Sequence, residues 1–141
     1  MRLTDLIEMS QKDIEISQGY LARKFLSIGI ILVFAKHFGD RIIDGAKDEH
    51  GKRDNVTLED LASLFSKLYA HHKRIFAQAS QFTDEVKRGE FEGVIKDMIA
   101  KTNVPFGLEF NKSKGKYVMT CTTIMKKDNF HVRPTDHVVE V

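Results

Sequence analysis

The chain has 141 residues, of which 42% are hydrophobic and 30% are charged, so it is long enough for one domain with a genuine core. Its 22 Lys and Arg residues against 20 Asp and Glu residues give a net charge of +2, which by itself indicates no particular partner. The longest apolar run has about ten residues, half of what a bilayer crossing needs, which excludes a membrane-spanning chain and predicts no membrane partner.

The cysteine content and the N-terminus favour a cytoplasmic protein, located in the host cell if the chain is phage encoded. Cys121 is the only cysteine, so no intrachain disulfide can form and a reducing compartment is expected. The N-terminal segment carries Asp5 and Glu8 where a secretory signal would need a basic start and an unbroken apolar core. Cys121 stands in an alternating pattern, which predicts a small buried residue and not a nucleophile.

The first part of the chain predicts helices, a strand and a loop. Residues 1–24 alternate charged and apolar positions, which predicts one or two short helices in a detachable N-terminal helical arm, followed by a globular domain over 25–141. The β-branched and aromatic residues of 25–34 predict a central strand. Residues 36–43 then indicate a short helix, and the charged stretch 44–55, which contains two glycines, indicates an exposed loop.

Two longer helices are predicted in the middle of the chain. Thr57 is placed to cap the first one, because its hydroxyl can accept from a free amide and acidic residues follow in the first turn. The second helix is predicted over 84–100, where Phe91, Val94, Ile95, Met98 and Ile99 recur every three or four positions. Helical spacing also predicts a core-facing side of the first helix, formed by Leu58, Leu61, Ala62, Phe65, Leu68, Tyr69 and Phe76.

After Asn103 and Pro105 the period of the apolar pattern changes. Residues 106–110 and 116–125 flank the glycine-containing segment 111–115, and together they predict a β-hairpin. A last strand is predicted over 137–141. The expected fold class is therefore α+β, with N-terminal helices packed on one face of a small, mostly antiparallel β-sheet.

The charge is unevenly distributed along the chain. From Lys101 onward there are seven basic residues and four acidic ones, a difference of +3 over the last 41 positions. This excess falls on the part that is predicted to form the sheet, and a basic sheet face is one way to hold a phosphate backbone. The alternative interpretation is an ordinary solvated face.

The most informative stretch for function is 36–41, with the sequence Lys-His-Phe-Gly-Asp-Arg, directly after the apolar run. In a helix beginning here, His37 and Arg41 lie one turn apart on one face, where imidazole and guanidinium can bind the same phosphate. That pair suits metal-free RNA cleavage. In the alternative interpretation, His37 caps or lines the sheet and Arg41 pairs with a neighbouring acid.

Two strings carry a resemblance to a known family. Phe34-Ala-Lys-His37-Phe-Gly-Asp-Arg41-Ile-Ile, followed by a variable loop and the helix Leu61-Ala-Ser-Leu-Phe-Ser-Lys-Leu, resembles the core of RelE/RegB-like phage endoribonucleases. The tail Lys116-Tyr-Val-Met-Thr-Cys-Thr-Thr-Ile-Met-Lys-Lys-Asp-Asn-Phe130 is similar to the closing strands of barnase/EndoU/colicin/RelE-like nuclease domains. The likeness covers residues 28–70 and 104–131. It implies a RelE/RegB-like fold and a metal-independent endoribonuclease.

The resemblance also implies roles for individual residues. It assigns catalytic functions to His37 and Arg41, and it requires a second catalytic His just after a Leu-Phe pair. Here Ser66 stands in that position. His71 or His72 are candidates to replace the missing group, although adjacent residues lie about 100° apart on a helix and cannot both face one site.

The implied reaction is attack of a ribose 2′-hydroxyl on the adjacent phosphate, giving a 2′,3′-cyclic phosphate and a free 5′-hydroxyl. His37 is the expected acid or base, and Arg41 would bind the phosphate through two parallel hydrogen bonds. Lys126 is the third catalytic candidate, at a strand end, and these groups are expected to converge within about 6 to 8 Å. Further contacts to RNA or phosphate are expected from Lys36, Lys127, Thr122, Thr123 and His131.

No metal or cofactor is predicted. A structural zinc site is not indicated, because Cys121 has no spaced His and acidic partners, and the glycine-rich nucleotide-binding motifs are absent. The expected partner is RNA, single-stranded or present as ribosome-bound mRNA, with an antitoxin or host protein as a further candidate. The alternative function is a non-enzymatic phage accessory, virion-associated or host-enzyme-inhibiting binding protein on a toxin-like scaffold. The lack of a clear second catalytic His favours that alternative.

Overall fold

A computed structural model describes residues 3–36, 38, 56–126 and 136–141, with side chains from residue 12 onward. The α+β class predicted from the sequence is confirmed. The loop predicted over 44–55, and most of the helix predicted over 36–43, lie outside the described residues. The described elements are α1 (Leu3–Leu26), β1 (Ile30–Phe34), α2 (Leu58–Ala70), α3 (His72–Gln81), α4 (Thr83–Arg88), β2 (Phe91–Asp97), β3 (Thr102–Asn111), β4 (Lys116–Cys121), β5 (Met125–Lys126) and β6 (His137–Glu140).

The strands form one mixed sheet in the order β1-β4-β3-β2-β6, with β5 paired to β3 beyond the end of β4. β3 pairs antiparallel with β2, β4 and β5, whereas β1 runs parallel to β4 and β6 runs parallel to β2. The predicted hairpin joins β3 to β4, and β6 covers the predicted last strand. Because β1 and β2 run in the same direction, α2, α3 and α4 form the crossover connection between them.

The helices cover one face of the sheet, and the core lies between them and that face. Phe25 and Phe34 each meet the ring of Phe65 edge to face, with centroids 6.1 and 5.7 Å apart, and so join α1 and β1 to α2. Strand register places alternate residues on the same face. One buried row across four strands consists of Leu32, Met119, Leu108 and Phe91.

The N-terminal segment is a single helix. α1 runs without interruption from Leu3 to Leu26, so the boundary expected at residue 24 falls inside it. Leu21 and Phe25 belong to the core, with 6% and 0% of their surface exposed. One uninterrupted helix therefore stands where one or two short helices were expected, and its C-terminal half is packed against the rest of the protein and is not a detachable arm.

The strand predicted over 25–34 is shorter than expected and lies at the edge of the described sheet. Phe25 and Leu26 end α1, and Gly29 forms the following turn with a φ of 86°. Such positive φ values favour glycine, which has no Cβ, and commonly follow the end of a helix. β1 then begins at Ile30 and stands last in the described strand order. In the described sheet β1 is therefore an edge strand, not the central strand that was expected.

α2 begins where the sequence predicts. The hydroxyl of Thr57 accepts from the amide of Asp60 at 3.1 Å, and the carboxylate of Asp60 accepts from the amide of Thr57 at 3.0 Å. This capping box satisfies amides that the start of a helix otherwise leaves free. α2 ends at Ala70, so Phe76 belongs to α3, and Ala62, expected on the core side, is exposed.

We expect Thr57→Ala to lower the free energy of unfolding by about 1 kcal/mol, because the amide of Asp60 loses its acceptor. Thr57→Ser keeps a hydroxyl at the same place and should stay close to the wild type. Urea denaturation followed by circular dichroism measures both. Equal losses in the two variants would show that the hydroxyl contributes nothing to the start of α2.

The second predicted helix is mostly a strand. α4 ends at Arg88, where Gly89 takes a φ of 69°, and β2 follows from Phe91 to Asp97. Met98 and Ile99, expected on an apolar helix face, lie in the turn after β2 with 56% and 84% of their surface exposed. The helix predicted over 84–100 is therefore wrong beyond Arg88.

The outer edge of β6 is covered by α3. The side-chain amide of Gln78 donates to the carbonyl oxygen of Val138 at 2.9 Å, and the guanidinium of Arg74 donates to the carbonyl oxygen of Glu140. Arg74 and Gln78 are one turn apart, and Val138 and Glu140 alternate along the strand, so the helix follows β6. Side chains thus satisfy carbonyls on the side of β6 that faces away from β2.

Candidate functional site

Two parallel neighbours, β1 and β4, end side by side. Phe34 pairs with Cys121 at the last position of their register, and the amide of Ala35 donates to the carbonyl of Cys121 at 2.9 Å. Lys36 and Thr122 follow these two strand ends, and both are exposed. We term this place the carboxyl edge. Because open sheets commonly bind ligands outside the carboxyl ends of their parallel strands, two of the predicted phosphate-binding residues lie at a candidate site.

Lys126 lies on β5, opposite Thr102 of β3, at the same end of the sheet. Its Nζ is 3.6 Å from Oδ2 of Asp60, and its side chain keeps 35% of its surface exposed. Because Asp60 also closes the capping box, this ion pair attaches the N-terminus of α2 to β5. A partly exposed pair of this length contributes about 0–1 kcal/mol, so Lys126 can exchange Asp60 for another anion with little loss of stability.

A second ion pair connects α2 to the sheet. Nζ of Lys67 is 2.9 Å from Oδ1 of Asp97, and both Asp97 and Lys126 are in register with Thr102, from opposite sides of β3. Asp60 and Lys67 are about 10 Å apart along the helix axis, which is close to twice the distance between neighbouring strands of a sheet. α2 therefore crosses the ends of β5, β3 and β2, and the accessible part of the carboxyl edge is beside β1 and β4.

Asp97 is a buried carboxylate that the sequence did not indicate. Burial raises its pKa, but the hydrogen bond from Lys67, the amides of Ala100 and Ile99 and the positive charge of Lys67 together outweigh that effect, so the pKa lies below its ordinary value of 3.8. Oδ1 accepts all three hydrogen bonds, at 2.9, 3.1 and 3.2 Å. Oδ2 is buried without a hydrogen-bond partner in the part of the chain that the structure describes.

Four of the predicted site residues, His37, Arg41, Lys127 and His131, lie outside the described residues. The convergence of His37 and Arg41 with Lys126 or Lys127 on one phosphate therefore stays a prediction. Phe38 is described and fully buried, with its ring centroid 4.8 Å from that of Phe34. The chain is thus anchored to the core one residue after His37.

Thr122 is attached to β3 where the sheet passes from β4 to β5. Its amide and its hydroxyl both donate to the carbonyl of Pro105, at 3.0 and 3.1 Å. Pro105 has no amide hydrogen for the ladder, which fits the interruption at residues 122–124 between the two strands. Because the hydroxyl proton of Thr122 is already used, this side chain can donate to a phosphate only if the bond to Pro105 breaks. Thr123 beside it is half-buried.

His71 and His72 lie at the junction of α2 and α3. Nδ1 of His72 is 2.8 Å from the carbonyl oxygen of Tyr69, which as an acceptor places the ring proton on Nδ1. Residue 71 is about 16 Å further along the helix than Asp60, the partner of Lys126. The structure therefore separates both histidines from Lys126. Ser66 lines a groove between α1 and α2.

The sheet face opposite the helices does not carry the basic surface expected from the excess of +3. The turns 98–101 and 112–115 hold basic residues that the sequence suggested for the sheet. The register of the described strands places on this face the charged residues Lys96, Lys116, Glu92, Glu109 and Glu140. Among these positions acids outnumber bases, so the expectation of a basic sheet face is wrong for the described part of the sheet.

Cys121 behaves as the sequence predicts. It is fully buried on β4, and burial raises the pKa of its thiol, so the thiol stays protonated at neutral pH. Within the described ranges, no group of three His, Cys, Asp or Glu side chains is arranged to hold a metal ion. Of the described helices, none has the length and apolar character needed to cross a bilayer.

Comparisons with protein-family models, with curated proteins and with solved structures give no match for this chain. The resemblance of the strings around His37 and at 116–130 to nuclease domains therefore stays a prediction from those residues alone.

Proposed function

We propose that the protein is a metal-independent endoribonuclease whose active site lies at the carboxyl edge. The observation that carries the proposal is the position of Lys36, Thr122 and Lys126 at one end of the sheet. Lys36 directly precedes His37 in the chain, and Lys126 directly precedes Lys127. Two cationic side chains and a hydroxyl at the ends of neighbouring strands supply the kind of surface that a phosphate group requires.

The proposed reaction needs one proton acceptor, one proton donor and positive groups around the phosphate. The ribose 2′-oxygen forms a bond to phosphorus and loses its proton to a base, while the bond from phosphorus to the 5′-oxygen breaks and that oxygen receives a proton. His37 performs one of these proton transfers, because an imidazole changes charge near neutral pH. Arg41 and Lys126 stabilise the additional negative charge on the phosphorane oxygens.

The charge distribution supports a local contact with RNA. Because the sheet face opposite the helices carries Glu92, Glu109 and Glu140 beside its two lysines, it does not offer an extended track for a phosphate backbone. The proposed contact is therefore limited to the few phosphates around the scissile bond. Such a contact suits single-stranded RNA, whose backbone can bend toward one edge of a small domain.

Two observations favour the second candidate function, a non-enzymatic binding protein. Lys126 is already paired with Asp60, and the hydroxyl of Thr122 already donates to Pro105. Neither His71 nor His72 lies near Lys126, so the described residues do not supply the second acid or base that the reaction requires. A protein that only binds a host or phage protein needs none of these groups to be available.

A cleavage assay separates the two functions. We expect the purified protein to cut mixed RNA in the presence of EDTA and to leave 2′,3′-cyclic phosphate ends. His37→Ala should lower the rate by about 10²–10⁴-fold, the usual contribution of a general acid or base, and Arg41→Ala by about 10²–10³-fold. Lys126→Ala should lower it by about tenfold or more. Lys114→Ala, in the turn at the opposite end of β4, is the matched control and should keep the full rate.

Three results would contradict the proposal. Intact RNA after incubation with the wild type would favour the binding function, activity lost on adding EDTA would show that a metal takes part, and full activity of His37→Ala would place the active site elsewhere.

A further inference from the structure

A groove of about 320 Å³ lies between α1 and α2. Its inner wall is apolar, since Leu21, Leu61 and Phe65 line it and are buried in the core. Ile16 and Tyr20, which are one turn apart on α1, border the groove and expose 64% and 57% of their surface. Large apolar side chains left exposed beside an apolar groove are typical of an interaction surface.

The dimensions of the groove suit an α-helix. On α2 its wall is formed by Ala62 and Ser66, two small exposed residues one turn apart, which allow the backbone of a further helix to approach closely. On α1 the lining residues extend from Ile16 to Lys24, a distance of about 12 Å along the axis. This length corresponds to slightly more than two turns of a bound helix, enough for apolar anchors at i and i+4.

The charged residues that line the groove are basic, which favours an acidic occupant. Arg23 and Lys24 line it, and the lining residues that the structure describes include no acid. Nζ of Lys24 lies 4.5 Å from the ring centroid of Tyr69, which holds the ammonium group at this end of the groove. Arg23 is exposed. Carboxylates on an incoming helix therefore find two cations beside an apolar surface.

We propose that this groove binds an acidic amphipathic α-helix of a partner protein. Leucine-like side chains of that helix contact Leu21, Leu61 and Phe65, while its carboxylates lie beside Arg23 and Lys24. This binding does not depend on RNA cleavage, because Lys36, Thr122 and Lys126 are absent from the described residues that line the groove.

A pair of model peptides tests the proposal by fluorescence anisotropy. The first is an acetylated, labelled, alanine-based helix of about 15 residues, with leucines at i and i+4 and glutamates on the flanks; the second carries lysine in place of every glutamate. We expect saturable binding of the acidic peptide, with a Kd at least about tenfold lower than that of the lysine peptide. Arg23→Glu should reverse this preference.

Two further variants locate the binding surface. Ala62→Gln fills the groove from an exposed position without adding a charge, so the protein should stay folded by circular dichroism and its affinity for the acidic peptide should fall by about tenfold or more. Lys87→Glu changes an exposed charge on α4 and should leave the Kd unchanged. No saturable binding, equal affinity for both peptides, or full affinity in Ala62→Gln would each overturn the proposal. So would a dimer, seen by light scattering without peptide, that Ala62→Gln abolishes, because a second copy would then fill the groove.

Discussion

Gly93→Ala should destabilise the protein by roughly 1–3 kcal/mol although it adds a single methyl group. Gly93 lies on β2 between Phe106 of β3 and His137 of β6. A Cβ at this position would stand 2.7 Å from the carbonyl oxygen of His137 and 2.9 Å from two ring carbons of Phe106. Phe106 is itself buried beside Phe91. The methyl group therefore fits only if β6 moves away or a packed ring is displaced.

The same substitution at two other glycines provides the controls. No atom of the described residues lies within 4 Å of a Cβ at Gly19, in α1, where alanine should stabilise the helix by about 0.5–1 kcal/mol. At Gly107 the described neighbour of a Cβ is the carbonyl oxygen of Phe91 at 3.8 Å, an ordinary contact, and the change should be small. Urea denaturation of the three variants measures the differences. A Gly93→Ala protein as stable as Gly107→Ala would contradict the packing described for β2.

Asp97→Ala is expected to lower the free energy of unfolding by about 2–4 kcal/mol, because it removes the acceptor of three hydrogen bonds at a buried position. The amides of Ile99 and Ala100 would lose their partner, and so would Lys67. Lys67 keeps a third of its side chain exposed and can be hydrated, which limits the loss. Glu15→Gln, at an exposed position of α1, is the control and should change stability little. A loss as small as that of the control would show that this carboxylate does not stabilise the β2–β3 turn.

Lowering the pH should reveal how much the ionised carboxylate of Asp97 contributes to the free energy of unfolding. The folded-state pKa of Asp97 lies below its ordinary value of 3.8, so the ionised form stabilises the protein above that value and the contribution is lost as the pH falls through the lower folded-state pKa. The difference in unfolding free energy between the wild type and Asp97→Asn should therefore be constant near neutral pH and shrink below about pH 4. A difference that stayed constant or increased on acidification would contradict the lowered pKa.

Local signals in the sequence were sufficient for α2 and for the β3–β4 hairpin. Thr57 and Asp60 interact within one turn, and the turn before Gly115 separates two alternating segments. Neither element depends on residues distant in the chain for its start or its end. The end of α1 was predicted too early because Phe25 fits equally well at the end of a helix or at the start of a strand. Gly29 was the available signal for that boundary.

β2 was predicted as a helix because its inward positions are not uniformly apolar. Phe91, Gly93, Ile95 and Asp97 face the helices, but a glycine and an acid stand where alternation would require apolar side chains. Val94, on the other face, is buried as well, with 2% of its surface exposed. The remaining apolar residues then repeat at three and four positions. Gly93 leaves room for the ring of Phe106, and Asp97 is paired with the ammonium group of Lys67. Both partners are distant in the chain, so local sequence does not reveal them.

The candidate site was accessible to sequence reasoning only in part. Lys36 was correctly placed just after a strand, but Thr122 was placed inside the strand predicted over 116–125, whereas β4 ends at Cys121 and pairs with β1. The pairing of Lys126 with Asp60 could not be foreseen, because it depends on α2 crossing the end of the sheet. The sequence also does not show on which face of the sheet a charged side chain lies until the strand register is known. Lys101, Lys112 and Lys114, which were expected on the sheet, lie in turns.

The contact of α3 with β6 has a consequence for association between molecules. A strand at the border of a sheet normally offers free main-chain acceptors, along which another chain can align and lengthen the sheet. On β6 the acceptors of Val138 and Glu140 are occupied by Gln78 and Arg74. Copies of the protein that meet at high concentration are thereby hindered from joining into a continuous fibril through this border.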